Sequence, residues 1–289
     1  MRFSGCPAAV DPQSNSLYHF YMLATVLTRS EKAVLRAPVL AAAFLLVPWT
    51  LFAQTADDVI GAYLKARGGV DKVKAVRTER VTASVTLQPG ADAVLVYERK
   101  RPLKMHMEIK LNGESFVRVY DGKSAGWVYN PFVPNAAIVP MTPEEIRGAA
   151  DESDLDGPFV DYKAKGNELE YLGTEQIDGK PARKLKLTAK SGEISYCFFD
   201  PATGLILRIQ STRKIKDQDV PWETIFRDFR EVEGLKYPFL VESGPAGSDQ
   251  AQKIAATKIE INIPIADARF EKPVAPPAPA QPADPAKSN

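Results

Sequence analysis

The chain is poor in the side chains that carry most enzyme chemistry: 289 residues hold two histidines and two cysteines. One of each, His19 and Cys6, falls within residues 1–53, which leaves His106 and Cys197 for the rest. A Ser-His-Asp or Cys-His catalytic set would have to be built on His106. That histidine sits on the polar side of an alternating segment. No G-x-S-x-G, no H-E-x-x-H and no phosphate-cradling glycine loop occurs. Zinc needs several nitrogen or sulfur ligands, and one histidine with one cysteine cannot supply them. A single thiol also excludes an internal disulfide. Cys197, inside an apolar strand pattern, reads as a small core residue.

Excess charge of one sign is missing as well. The formal net charge is +1. Without Arg2, Asp11, Arg29, Glu31, Lys32 and Arg36 of residues 1–53, the remainder carries 33 basic and 34 acidic residues, a net charge of −1. Nucleic-acid binders present a basic domain or stripe, so nucleic acid is excluded as a partner. Glu152, Asp154, Asp156 and Gly157 imitate the first half of a calcium loop, but the bidentate acid required later in such a loop is Lys163. The expectation is a protein with no catalytic residue, no cofactor and no metal.

What is present begins with a leader. Residues 37–53, APVLAAAFLLVPWTLFA, follow Arg29, Lys32 and Arg36 and precede the polar Gln54, Thr55, Asp57 and Asp58. This is the basic, apolar and cleavage-site layout of a secretory signal. The apolar run is short of the roughly 20 residues a span needs, and Pro38 and Pro48 weaken it as a helix. Cleavage after Ala53 is expected, with Leu51 a poor residue at its −3 position. The long preface before the leader makes Met22 an alternative start. Residues 274–289, rich in proline and alanine, read as a disordered tail.

Between these, residues 54–273 read as one domain. TADDVIGAYLKARGG predicts a helix capped by Thr55, with acids in its first turn and Gly68-Gly69 at its end. From Thr78 the period becomes two. In KMHMEIKL, Met105, Met107, Ile109 and Leu111 alternate with Lys104, His106, Glu108 and Lys110, which predicts one apolar and one wet face. Leu185 and Leu187 alternate with Lys184 and Lys186 likewise. Asp121-Gly122, Asp178-Gly179 and Asp200 to Gly204 supply turns. Roughly ten strands of an antiparallel meander are expected by this pattern. PMTPEEIRG interrupts them with a capping box, Thr142 to Glu145, and Pro143 at the first helical position. The predicted fold is mainly β: a curved antiparallel sheet, an unclosed half-barrel, covered by the N-terminal helix and the short helical insert. Such a sheet can enclose an apolar cavity. Candidates to line it are Met105, Met107, Ile109, Phe116, Trp127, Tyr129, Tyr196, Phe198, Tyr237 and Phe239, with Tyr120 in the same apolar set. Ile146, Phe159 and Tyr162 of the insert are the lid candidates.

The signal, the opening helix, the meander, PMTPEEI, FFDPATGLILRI, GLKYPF and ADARFEKP together resemble the LolA-like outer-membrane lipoprotein-sorting proteins over about Thr55 to Pro273. The resemblance implies a periplasmic monomer whose apolar concave face takes up acyl chains of lipids or lipoproteins. It also implies an inner-membrane transporter and an outer-membrane acceptor as partners. The alternative on the same fold is an envelope-stress sensor that binds lipoproteins and regulates a partner.

Overall fold

The computed structural model describes residues 54–87, 91–215, 218–249 and 251–274. The leader, and the tail beyond Val274, lie outside the described residues. Helix α1 (Ala56–Arg67) begins as its sequence dictates: the Thr55 hydroxyl accepts from the Asp58 amide, and the Asp58 carboxylate accepts from Thr55. Val59, Ile60 and Tyr63 form its buried face. Gly68 ends it at φ 126°. A Cβ there would meet the Gly234 carbonyl oxygen at 2.3 Å, so this position is restricted to glycine both by conformation and by contact. Helix α2 (Val70–Ala75) follows at once.

Thirteen strands, β1 to β13 in chain order, form one antiparallel sheet among the described residues. Six precede the insert: Thr78–Leu87, Ala91–Lys100, Lys104–Leu111, Glu114–Tyr120, Gly126–Tyr129 and Ile138–Pro140. Seven follow it: Glu168–Ile177, Lys180–Thr188, Ile194–Phe199, Ile206–Ile215, Gln218–Val232, Leu235–Pro245 and Gln252–Ile261. The expectation of ten fell short because pieces such as β5 and β6 are too short to show an alternation. Bulges at Thr82/Ala83, Tyr171/Thr174 and Ile206/Arg208 bend the strands and increase the local twist.

Each half is a simple meander, and β1 joins β13 in the middle. That leaves β6 and β7, consecutive in the chain, at opposite edges. The segment between them must therefore cross from edge to edge. It begins with α3 (Pro143–Ser153), whose capping box, Thr142 with Glu145, forms as its sequence predicts. Ala149 and the nearby Ile146 and Ala150 pack on Met105 and Tyr120 of the first half. Leu155 and Val160 then join Leu235, Tyr237, Ile259 and Ile261 at the centre. Phe159 joins Leu185, Cys197, Phe199 and Ile206 of the second half. The insert is a strap over the concave face, and the fold is a curved, unclosed half-barrel covered by α1 and this strap.

The face of β3 expected to be wet is so at Lys110, which is exposed, but is roofed at His106. His106 is opposite Glu98 and Val119 and only 5% exposed. A 3-10 turn, Asp267–Phe270, folds over it. Phe270 is buried, and Lys104 and Lys100 hold Asp267 at 2.8 and 3.0 Å. Arg269 donates to Glu98 at 2.9 Å and to His106 Nδ1 at 3.2 Å, which fixes the imidazole proton on Nε2. Arg80 donates to the other Glu98 oxygen at 2.7 Å. Local alternation identified the sheet face; the cover comes from the far end of the domain and left no mark in KMHMEIKL.

Burial, and then the Arg269 charge, pull the His106 pKa down from 6.5 to about 4, against the opposing pull of Glu98 and Glu108. An unfolded chain would take this proton near pH 6.5 while the folded one refuses it until about pH 4. Stability is therefore lost as pH falls through that window, by on the order of 2 kcal/mol between pH 7 and pH 5. His106→Gln is expected to reduce the fall in melting temperature between these two pH values. An unchanged fall would show that His106 is not the group responsible.

Candidate functional site

A cavity of about 410 Å³ lies between the concave sheet face, α1 and the strap. Its apolar lining comes from Val81 of β1, Ile206 and Ile209 of β10, Phe226 and Phe229 of β11, Tyr237 and Val241 of β12, and Ile254, Ala256 and Ile259 of β13. Tyr63 of α1 and Leu155 and Phe159 of the strap close it. The Tyr63, Phe159 and Phe199 rings meet edge-on with centroids 5.4 to 5.6 Å apart, tying helix, strap and sheet together. Beyond this apolar wall stands a buried polar cluster built on Arg99.

Arg99 spans sheet and strap. Its Nε and Nη2 donate to one Glu79 oxygen at 3.1 and 2.6 Å. Its Nη1 donates to the carbonyls of Glu152 and Asp154, both at 3.2 Å. The Tyr97 hydroxyl donates to the same Glu152 carbonyl at 2.9 Å. Helix α3 has no basic residue in its last turn, so β2 supplies the cation that its C-terminal carbonyls call for. Burial opposes the Arg99 charge, but the Glu79 carboxylate more than compensates and the guanidinium stays protonated. Burial pushes the Tyr97 and Tyr237 phenols far above their ordinary range, which keeps both as donors. The calcium-like acids are spent on the same anchorage. Asp156 takes two bonds from Arg101 at 2.9 and 2.5 Å, Asp154 pairs with Lys165, and Glu152 with Arg118 at 3.3 Å.

The sequence candidates divide by strand register. Met107 and Ile109 pack with Ala83, Val85 and Leu95 on the concave face, where Ile109 is opposite Phe116. Met105 is on this face too, fully buried under α3 with Tyr120 and Ile146. Tyr237 and Phe159 line the cavity. Phe239 packs beside the Tyr237 cluster, under the Arg230 guanidinium at 4.6 Å. Trp127 and Tyr129 are opposite Val119 and Val117, and so share the outer face with His106 and Glu108. Tyr196 and Phe198 are opposite Lys186 and Lys184, again on the outer face, where the Lys184 ammonium lies 5.0 and 5.4 Å from their rings. Their neighbours Cys197 and Phe199 point inward instead. Burial pushes the Cys197 thiol up to about 12. Tyr162 donates to Asp57 at 2.6 Å and Lys163 reaches the same carboxylate at 2.9 Å, pinning the end of the strap to α1.

Glu79, Arg99, Ile209, Phe226 and Val241 carry the site without having been singled out from sequence. The alternation of Leu185 and Leu187 with lysines was a usable signal for Cys197 and Phe199, since Leu185 is directly opposite Cys197. Removing one partner of a buried ion pair typically costs about 3–5 kcal/mol. Arg99→Met is expected to destabilise by that order and to raise amide exchange over residues 150–157. Adding Glu79→Gln should recover part of the loss, because the orphaned carboxylate is gone. Wild-type exchange rates in the single variant would show that the strap is held elsewhere.

No protein-family model and no curated protein sequence matches the chain. Solved structures do. A DUF1329 family protein from Desulfovibrio piger superposes at TM-score 0.53 with 14% identity, over 76% of this chain and 98% of that one. A domain assigned to outer membrane lipoprotein sorting, from Vibrio parahaemolyticus, superposes at TM-score 0.50 with 11% identity, over 74% and 97%. With its unclosed sheet, helical cover and edge-to-edge strap, this chain has the LolA-like fold.

Proposed function

We propose that the protein is a periplasmic carrier that holds acyl chains of a lipid or lipoprotein in the cavity beneath the strap. The observation that supports this best is the cavity itself. Its volume, about 410 Å³, falls within the roughly 300–1,000 Å³ usual for small-molecule sites. The lining is contributed by six strands, α1 and the strap, so it belongs to the fold rather than to one loop. Space left open among apolar side chains is destabilising, and an acyl chain would recover the contacts that this gap forgoes. Export with cleavage after Ala53 agrees with such a role, because lipid and lipoprotein traffic between two membranes needs a soluble cover for the chains. An inner-membrane donor and an outer-membrane acceptor are the partners this role calls for. His106, roofed on the far side of the sheet, and Cys197, buried with a raised pKa, do not line this cavity.

Ala256 offers the sharpest test. It lines the cavity at a half-buried position on β13, so a large ring there projects into open space. Ala256→Trp is expected to fold normally by circular dichroism and to lose at least tenfold in affinity for a fluorescent fatty acid. Normal uptake by the folded variant would place the ligand outside this cavity.

A further inference from the structure

The concave face changes character along β10 to β13. Ile209, Phe226, Val241 and Ile254 line the cavity. Residues on the same face, nearer the hairpins that end these strands, are polar: Ser211, Thr224 and Ser243, with Trp222 opposite Ser211 and Thr224 opposite Ser243. Trp222 donates to the Ser243 hydroxyl at 2.8 Å, and Thr224 meets the same hydroxyl at 2.9 Å. At the outer end stands Arg213, four residues beyond Ile209, about 13 Å at the rise of a strand. Its guanidinium carbon lies 4.3 Å from the centroid of the Trp222 ring.

Arg213 differs from the other arginines of the concave face. Arg99 is committed to Glu79 and Arg118 to Glu152. No carboxylate among the described residues lies within ion-pair distance of Arg213, and Glu152 acts on it only from farther off. The opposite end of these strands is stopped by α1, whose C-terminus abuts Gly234 and Leu235. The α1 end of the cavity is lined by Arg67, 5.6 Å from the Tyr237 ring, and by Lys236, while the polar rim at the hairpin end carries Arg213, held flat by stacking on an indole.

We propose that this rim selects an anionic head group: Arg213 on Trp222, beside the Ser211, Thr224 and Ser243 hydroxyls, takes the carboxylate or phosphate of an amphiphile whose chain fills the cavity. This rests on the carrier function and specifies its ligand. A planar guanidinium suits both anions through paired hydrogen bonds, and a charge-assisted bond contributes enough for roughly a ten- to hundredfold preference. The neutral diacylglyceryl head of a lipoprotein would gain nothing from it.

Titration calorimetry with three ligands of equal chain length tests the proposal: palmitate, hexadecyl phosphate and uncharged monopalmitin. Wild-type protein is expected to bind the two anions at least tenfold more tightly than monopalmitin, with the tighter anion identifying carboxylate or phosphate. Arg213→Gln should remove that preference, and Arg213→Lys should restore only part of it. Equal binding of all three ligands by wild-type protein overturns the head-group proposal while leaving the cavity function intact. So does an Arg213→Gln variant that weakens all three alike. Binding of none of them overturns the carrier function and this proposal together.

Discussion

Backbone pairing of β1 with β13 brings the two ends of the domain side by side, and the rest of the architecture follows from it. Each half could have been an independent meander. Joined through β1 and β13, they become one sheet whose two edges are the strands that flank the insert. The chain between β6 and β7 then has no short route. It must cross the concave face, and in crossing it becomes the cover that the apolar face requires. The lid is thus a consequence of connectivity, and its sequence had only to supply a helix start and a few apolar contacts.

A strap laid over a cavity needs anchorage that does not fill the space beneath it. Polar side chains provide this at a few points. Arg99 and Tyr97 hold the end of α3 by its carbonyls, Arg101 and Lys165 hold the turn after it, and Asp57 holds the far end. Buried ion pairs contribute little net stability, because desolvating both charges nearly cancels their attraction. What they add here is position. A hydrophobic seam of equal strength would close over the floor, whereas point contacts to backbone carbonyls fix the strap and leave the cavity open.

Much of this was legible in the sequence, and the parts that were not share a cause. Helix caps at Thr55 and Thr142 and the Asp178-Gly179 turn formed as read, because each depends on residues within a few positions, whereas at Asp121-Gly122 only the glycine takes a positive φ and the connection is a longer loop from Asp121 to Ala125. Met107 and Ile109 took the concave face because their alternation is unbroken. ISYCFF and GWVYN have no such alternation, and the aromatic residues chosen there, Tyr196, Phe198, Trp127 and Tyr129, took the outer face. Arg118 on the concave face disguised the parity of FVRVY. Arg99 and Glu79 look like surface charges until the strap is known to pass over them. The roof on His106 likewise comes from a distant turn. Register and long-range cover are set by pairings that single-strand patterns do not contain.

Ligand retained through purification decides the central question most directly. Protein purified without detergent from the cells that make it should show, by native mass spectrometry, an added mass that activation releases as an acyl-bearing molecule. The same preparation after organic extraction should return to the mass of the bare chain. A protein that shows only the bare mass, and that gains none when incubated with fatty acid or phospholipid, would contradict a carrier function.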